Sequence, residues 1–151
     1  MGYHVTILRT KYGQPEPITL AEVKKVIALM PGFKLQSSAS FKEDIEISFP
    51  LSNGGEGFLF WQNGEIWTKN PEDEHLQIML DLAEKLNARV RGDEMETYRA
   101  IGESYTHPDD LVAIHDSERI IRAARCRLWL LRSAIFAGLI LLSLLVSYFS
   151  H

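Results

Sequence analysis

Three stretches of this chain hold residue types that could do chemistry. Ser104 to Asp116, SYTHPDDLVAIHD, gathers His107, Asp109, Asp110, His115 and Asp116. Imidazole and carboxylate are donors that divalent metals accept. Their spacing matches no standard site such as H-E-x-x-H. Thr106, Pro108 and Asp109 read more simply as the start of a helix, and no metal is assigned. Asp93, Glu94 and Glu96 form a compact acidic group. Paired carboxylates can divide acid and base roles, but these follow a turn, with no nucleophile beside them. They read as a solvated face, or as an acidic docking edge for a basic partner. The third stretch, Pro50 to Gly57, contains S-N-G-G-E-G. It lacks the lysine and the following helix of a phosphate-binding loop and reads as a plain turn. An enzyme would have to centre on His107, Asp109 and His115. No catalytic constellation is assembled, so neither catalysis nor a cofactor is expected.

Trp61 and Trp67 are candidates for binding instead. They lie on Phe58 to Gln62 and Glu65 to Lys69, which flank Asn63-Gly64, a type I′ hairpin signature. A two-residue turn pairs Gln62 with Glu65, Trp61 with Ile66, and Phe60 with Trp67. Side chains alternate along a strand, so Phe58, Phe60 and Trp67 share one side and Leu59, Trp61 and Ile66 the other. Both sides are apolar. The plainer reading covers the hairpin twice. The functional one leaves an aromatic face for a partner, where Trp and Phe make natural hot spots.

The elements that must position these residues follow from periodicity. Tyr3 to Leu8 alternates as a first strand, and Lys11 to Pro17 reads as loop. Thr19 and Glu22 form a capping box, with Ile18 and Val23 as its staple. Leu20, Val23, Ile27 and Met30 then recur at helical spacing, widened by Val26 and Leu29, until Pro31-Gly32. Phe33 to Leu35 reads as a short strand, Gln36 to Ser40 as loop. Asp44 to Phe49 alternates, with Ile45, Ile47 and Phe49 inward. Asn70 reads as an N-cap with Pro71 at the first helical position. Leu76, Met79, Leu80, Ala83 and Leu86 supply the buried stripe of that helix, and Asn87 ends it. Ala88 to Arg91 and Glu96 to Ala100 read as two strands about the Gly92-Asp93 turn. These elements predict an α+β head over residues 1–110: a small mixed, mostly antiparallel sheet with two packed helices.

Charge divides the chain. Residues 1–118 carry 11 basic against 20 acidic residues, a net of −9, and the remaining residues carry five arginines and no acid. An acidic head argues against nucleic acid as a partner. Residues 111–127 read as a helical basic stalk. Residues 128–149, LWLLRSAIFAGLILLSLLVSYF, read as a transmembrane helix. At ~1.5 Å per residue the run is about 33 Å long, enough for a hydrocarbon core of ~30 Å. Arg119, Arg122, Arg125, Arg127 and Arg132 crowd its near flank, Trp129 and Tyr148 mark its two ends, and only a few residues follow it. The positive-inside rule places the head in the cytoplasm of a single-pass, tail-anchored protein. Ser133, Ala134, Ala137 and Gly138 bring small residues to about helical spacing, which would let two spans pack as a homodimer. The single cysteine, Cys126, excludes an internal disulfide and fits a reducing compartment.

Gly64 to Glu74, GEIWTKNPEDE, and Leu86 to Tyr98, LNARVRGDEMETY, stand out together with Ile18 to Glu22, ITLAE. Their order is a hairpin, a "KNP" helix start, a strand–turn–strand and an N-terminal helix. In this the chain resembles small bacterial α/β immunity proteins, which neutralise toxins passed between cells. The matched stretches cover roughly a third of the chain, and no binding residue is carried over. The resemblance implies a toxin-binding inhibitor, here tethered to the inner membrane of a bacterium. An acidic head suits a basic toxin or effector. The candidate contacts are Trp61, Trp67, Asp93, Glu94 and Glu96. The alternative is a membrane-anchored adaptor or assembly subunit that holds a cytosolic protein at the bilayer.

Overall fold

A computed structural model of the chain describes residues 2–37, 45–112, 114, 115, 119, 121, 122, 125–129 and 132. Two compact units divide it, Met1–Leu111 and Val112–His151.

The first unit is α+β with an antiparallel sheet. Its strands are β1 (His4–Leu8), β2 (Thr10–Lys11), β3 (Gln14–Pro15), β4 (Lys34–Ser37), β5 (Ile45–Pro50), β6 (Glu56–Gln62), β7 (Glu65–Lys69), β8 (Arg89–Gly92), β9 (Glu96–Ala100) and β10 (Glu103–Thr106). Its helices are α1 (Leu20–Ile27) and α2 (Asp73–Lys85). Eight strands form one sheet in the order β10-β9-β8-β1-β7-β6-β5-β4, while β2 and β3 form a separate small hairpin. The N-terminal strand therefore sits in the middle. It pairs with β7 through Thr6 opposite Trp67, and with β8 through Thr6 opposite Arg91.

One side of the sheet holds the core. Val5, Ile7, Ile47, Phe49, Leu59, Ile66 and Val90 come from strands, and Val23, Ile27, Leu76, Met79, Leu82, Ala83 and Leu86 from the two helices and the end of α2. Both helices thus lie on one side, their apolar stripes closing over alternate strand residues. Thr19 caps α1 as expected: its hydroxyl accepts from the Glu22 N–H at 3.3 Å, and the Glu22 carboxylate accepts from the Thr19 N–H at 2.8 Å. The hairpin register matches the expected one, Phe60 opposite Trp67 and Trp61 opposite Ile66. Asn63 and Gly64 take φ of 52° and 86°, the left-handed pair of a type I′ turn.

Four expectations need correction. The sheet has eight strands rather than a few, because β1 bridges two halves that the linear sequence keeps apart. Asn70 is not the N-cap. It has φ 46°, accepts from the Tyr3 N–H through its side chain at 2.8 Å, and leaves Glu72 to precede the helix. Leu29 does not widen the buried stripe, since α1 ends at Ile27 and Leu29 is 75% exposed. Lys11 to Pro17 is not all loop, since β2 and β3 pair there as a small hairpin. The helix start expected at Thr106, Pro108 and Asp109 is present after β10, with helix from residue 108.

In the second unit, residues 114, 115, 119, 121, 122, 125–129 and 132 are helical. The expected span, residues 128–149, lies outside the described residues apart from Leu128, Trp129 and Arg132. Among the described residues no helix is long and apolar enough to cross a membrane.

Candidate protein-binding face

The side of the sheet away from the helices divides into two regions. Over β8 and β1 it is covered. Residues 108–111 are helical and carry Asp110, only 3% exposed, onto the sheet. Its carboxylate accepts from both guanidinium nitrogens of Arg89 and from Arg91 at 3.0 Å. Burial pushes the Asp110 carboxyl up, but the hydrogen bonds and charge of Arg89 and Arg91 more than offset it and hold it below the usual range. Asp109 next to it accepts from the Thr10 hydroxyl at 2.6 Å, which lowers its pKa. Asp109 and Asp110, two of the residues that resembled metal donors, therefore form a clamp on Thr10, Arg89 and Arg91, while Asp116 lies outside the described residues. Among the described residues no three acidic, histidine or cysteine side chains come together to hold an ion.

Over β7, β6 and β5, none of the described helices covers the sheet. Register places Trp67, Phe60 and Phe58 on this side, with Thr6 and His4 beside them on β1. The rings of His4, Trp67 and Phe60 adjoin in a stripe in which Trp67 and Phe60 are half-buried. The Phe60 and Trp67 centroids are 5.1 Å apart, and those of His4 and Trp67 5.7 Å. Phe58 is 39% exposed. Glu46 faces Phe60 across the β5–β6 pair, Glu56 precedes Phe58 by two residues, and Glu65 precedes Trp67 by two. These three carboxylates flank the stripe with no ion-pair partner among the described residues.

The structure sorts the sequence candidates. Trp67 belongs to the open stripe. Trp61 faces the helices, where its indole N–H donates to the Ile18 carbonyl at 2.9 Å and its ring packs against the core. Asp93 accepts from the His4 N–H at 2.7 Å and lies 3.5 Å from its Nδ1, so it borders the stripe through His4. Glu96 turns to the helix side of β9. There Tyr98 donates to it at 3.1 Å and, with its own proton so used, accepts from the Tyr3 hydroxyl at 2.7 Å. Burial, then the Glu96 contact, push the Tyr98 phenol up to about 12. Glu94 is exposed. The acidic triplet is thus one turn whose members point to different places. Sequence reasoning missed Glu46, Glu56 and Glu65. The alternation of Asp44 to Phe49 did mark Glu46 as outward, but only the pairing of β5 with β6 sets it beside Phe60.

In the second unit Arg119, Arg122, Arg125, Arg127, Trp129 and Arg132 are helical and exposed. Tyr148 lies outside the described residues. Comparison of the chain with protein-family models, with curated proteins and with solved structures returned no match.

Proposed function

We propose that this chain is a membrane-tethered immunity protein whose head binds and neutralises a basic bacterial toxin through the open face of its sheet. One observation carries the reading: a stripe of His4, Trp67, Phe60 and Phe58 that no described helix covers, flanked by Glu46, Glu56 and Glu65, which have no ion-pair partner among the described residues. Large aromatics on a rigid sheet are the side chains that dominate protein interfaces. Unpaired carboxylates around them favour a basic partner and speed its encounter. The net charge of −9 over residues 1–118 acts the same way at longer range. The motif resemblance to immunity proteins points in this direction too. Binding needs no cofactor and no catalytic group.

The tether is the apolar run Leu128 to Phe149, read as a single transmembrane helix in the bacterial cytoplasmic membrane. The arginine-rich flank would keep the head on the cytoplasmic side. Pairing through Ser133, Ala134, Ala137 and Gly138 would make it a homodimer.

The test is capture followed by a killing assay. The tagged full chain is solubilised gently from its host, and the polypeptide recovered in stoichiometric amount is expressed alone and together with the chain. The expected result is growth arrest alone and rescue on co-expression, with rescue weakened by Trp67→Ala. A harmless partner would replace this reading with that of an adaptor.

A further inference from the structure

Where the aromatic stripe reaches the first turn of α2, a groove of about 340 Å³ is lined by Phe58, Phe60, Trp67, Thr68 and Lys69 of the sheet and His75 of the helix. This is at the small end of the roughly 300–1,000 Å³ that ligand pockets span, room for one side chain. Its walls select the body of that side chain, because three aromatic rings favour a flat ring in offset or edge-to-face contact. Lys69 selects the tip. Its ammonium has no ion-pair or hydrogen-bond partner among the described residues. An ammonium only donates, so the group beside it must accept. An arginine or lysine entering the groove would meet like charge. A phenylalanine would offer the exposed Lys69 ammonium no acceptor. A tyrosine supplies both the flat ring and the accepting oxygen.

We propose that this groove takes a tyrosine side chain of the partner protein, its ring between Phe58 and Trp67 and its hydroxyl accepting from Lys69 Nζ. The inference rests on the protein-binding reading above and gives the partner an orientation. Lys69 and Glu65 lie on opposite sides of Trp67 along β7, and Glu46 lies beyond Phe60. The tyrosine therefore docks at the Lys69 end, and basic residues of the partner face Glu65 and Glu46.

The experiment is an NMR titration of the full chain in detergent micelles with N-acetyl-tyrosinamide, N-acetyl-phenylalaninamide and N-acetyl-argininamide. The tyrosine amide is expected to shift the Trp67 indole and the Phe58 and Phe60 signals saturably. It should bind about tenfold more tightly than the phenylalanine amide, the margin one hydrogen bond to a charged donor supplies. Lys69→Met should erase that margin, and Phe58→Ala should weaken both aromatic amides. Preference for the arginine amide, equal binding of all three, or no saturable shift at the groove would each overturn the proposal. A toxin neutralised equally well by the Lys69→Met protein would overturn it while leaving the immunity function standing. Tyrosine binding in the groove without any neutralised toxin would do the reverse.

Discussion

Asp110 shows how a single residue ties the end of the first unit to its sheet. It is buried and bridges arginines on β8, so removing it strands two guanidinium groups. Asp110→Ala should cost about 3–5 kcal/mol in urea unfolding, the range for breaking a buried pair from one side. Its folded pKa lies below the ordinary 3.8. Stability from it is therefore complete above pH 3.8 and is lost as pH falls through the folded value. Glu22 and Asp109 act in the same sense, Glu22 being lowered from 4.5 to about 2 chiefly by its hydrogen bond from Arg9. Unfolding free energy should hold steady from neutral pH to about pH 5 on their account and fall toward pH 2, less steeply in Asp110→Asn. Tyr98 titrates at the other extreme. Its raised pKa stabilises the fold below pH 10 and ceases to do so as pH rises through about 12. Phenolate absorbance should therefore show one tyrosine ionising late, and Glu96→Gln should bring it earlier.

At the scale of elements, α1 is short and depends on its start. With only eight residues it cannot hold itself in water. Thr19→Ala should lower stability by about 1 kcal/mol, read as a drop in Tm, because a capping hydrogen bond goes with the side chain. The hairpin gives a sharper contrast. Trp61 and Trp67 lie on opposite sides of it. Trp61→Ala should unfold the head at lower denaturant by about 3–5 kcal/mol, as loss of a large packed ring does. Trp67→Ala should lower stability by less, since its half-buried ring packs on Phe60 and His4 rather than on the core, and should cost about 2 kcal/mol or more in partner affinity. Equal losses of stability in the two variants would mean that the open face is not a binding face. Gly57 matters for packing: a Cβ there would meet the ring of Phe49, itself 1% exposed, and the imidazole of His75.

For the whole molecule, the division of charge sets how a partner arrives. If the acidic head captures a basic protein, the association rate should fall strongly with salt. The screening length shrinks from about 30 Å at 0.01 M to about 8 Å at 0.15 M. Dissociation should respond much less, since short-range aromatic contacts govern it. Stopped-flow traces at several salt concentrations separate the two.

Local pattern was enough to read the capping box, the hairpin with its register, the inward residues of β5 and most of the stripe of α2, though it took in the half-buried Leu80 and passed over the fully buried Leu82. Each depends on neighbours a few residues apart, where side-chain period and turn chemistry act directly. The α+β class and the antiparallel habit of the sheet follow from the same signals. What local pattern could not give is which strands lie side by side. The placing of β1 between β7 and β8 joins residues far apart in the chain, such as His4 with Lys69 and Val5 with Gly92, with no period to announce it. That placement sets His4 against Trp67 and brings Asp93 to His4. The folding of residues 108–111 onto the sheet made Asp110 a partner of Arg89 and Arg91 and Asp109 a partner of Thr10. The face of the sheet decided the rest. Trp61 and Trp67 are alike as residue types and both half-buried, and only the closing of both helices over one side packed Trp61 against the core and left Trp67 on the other face.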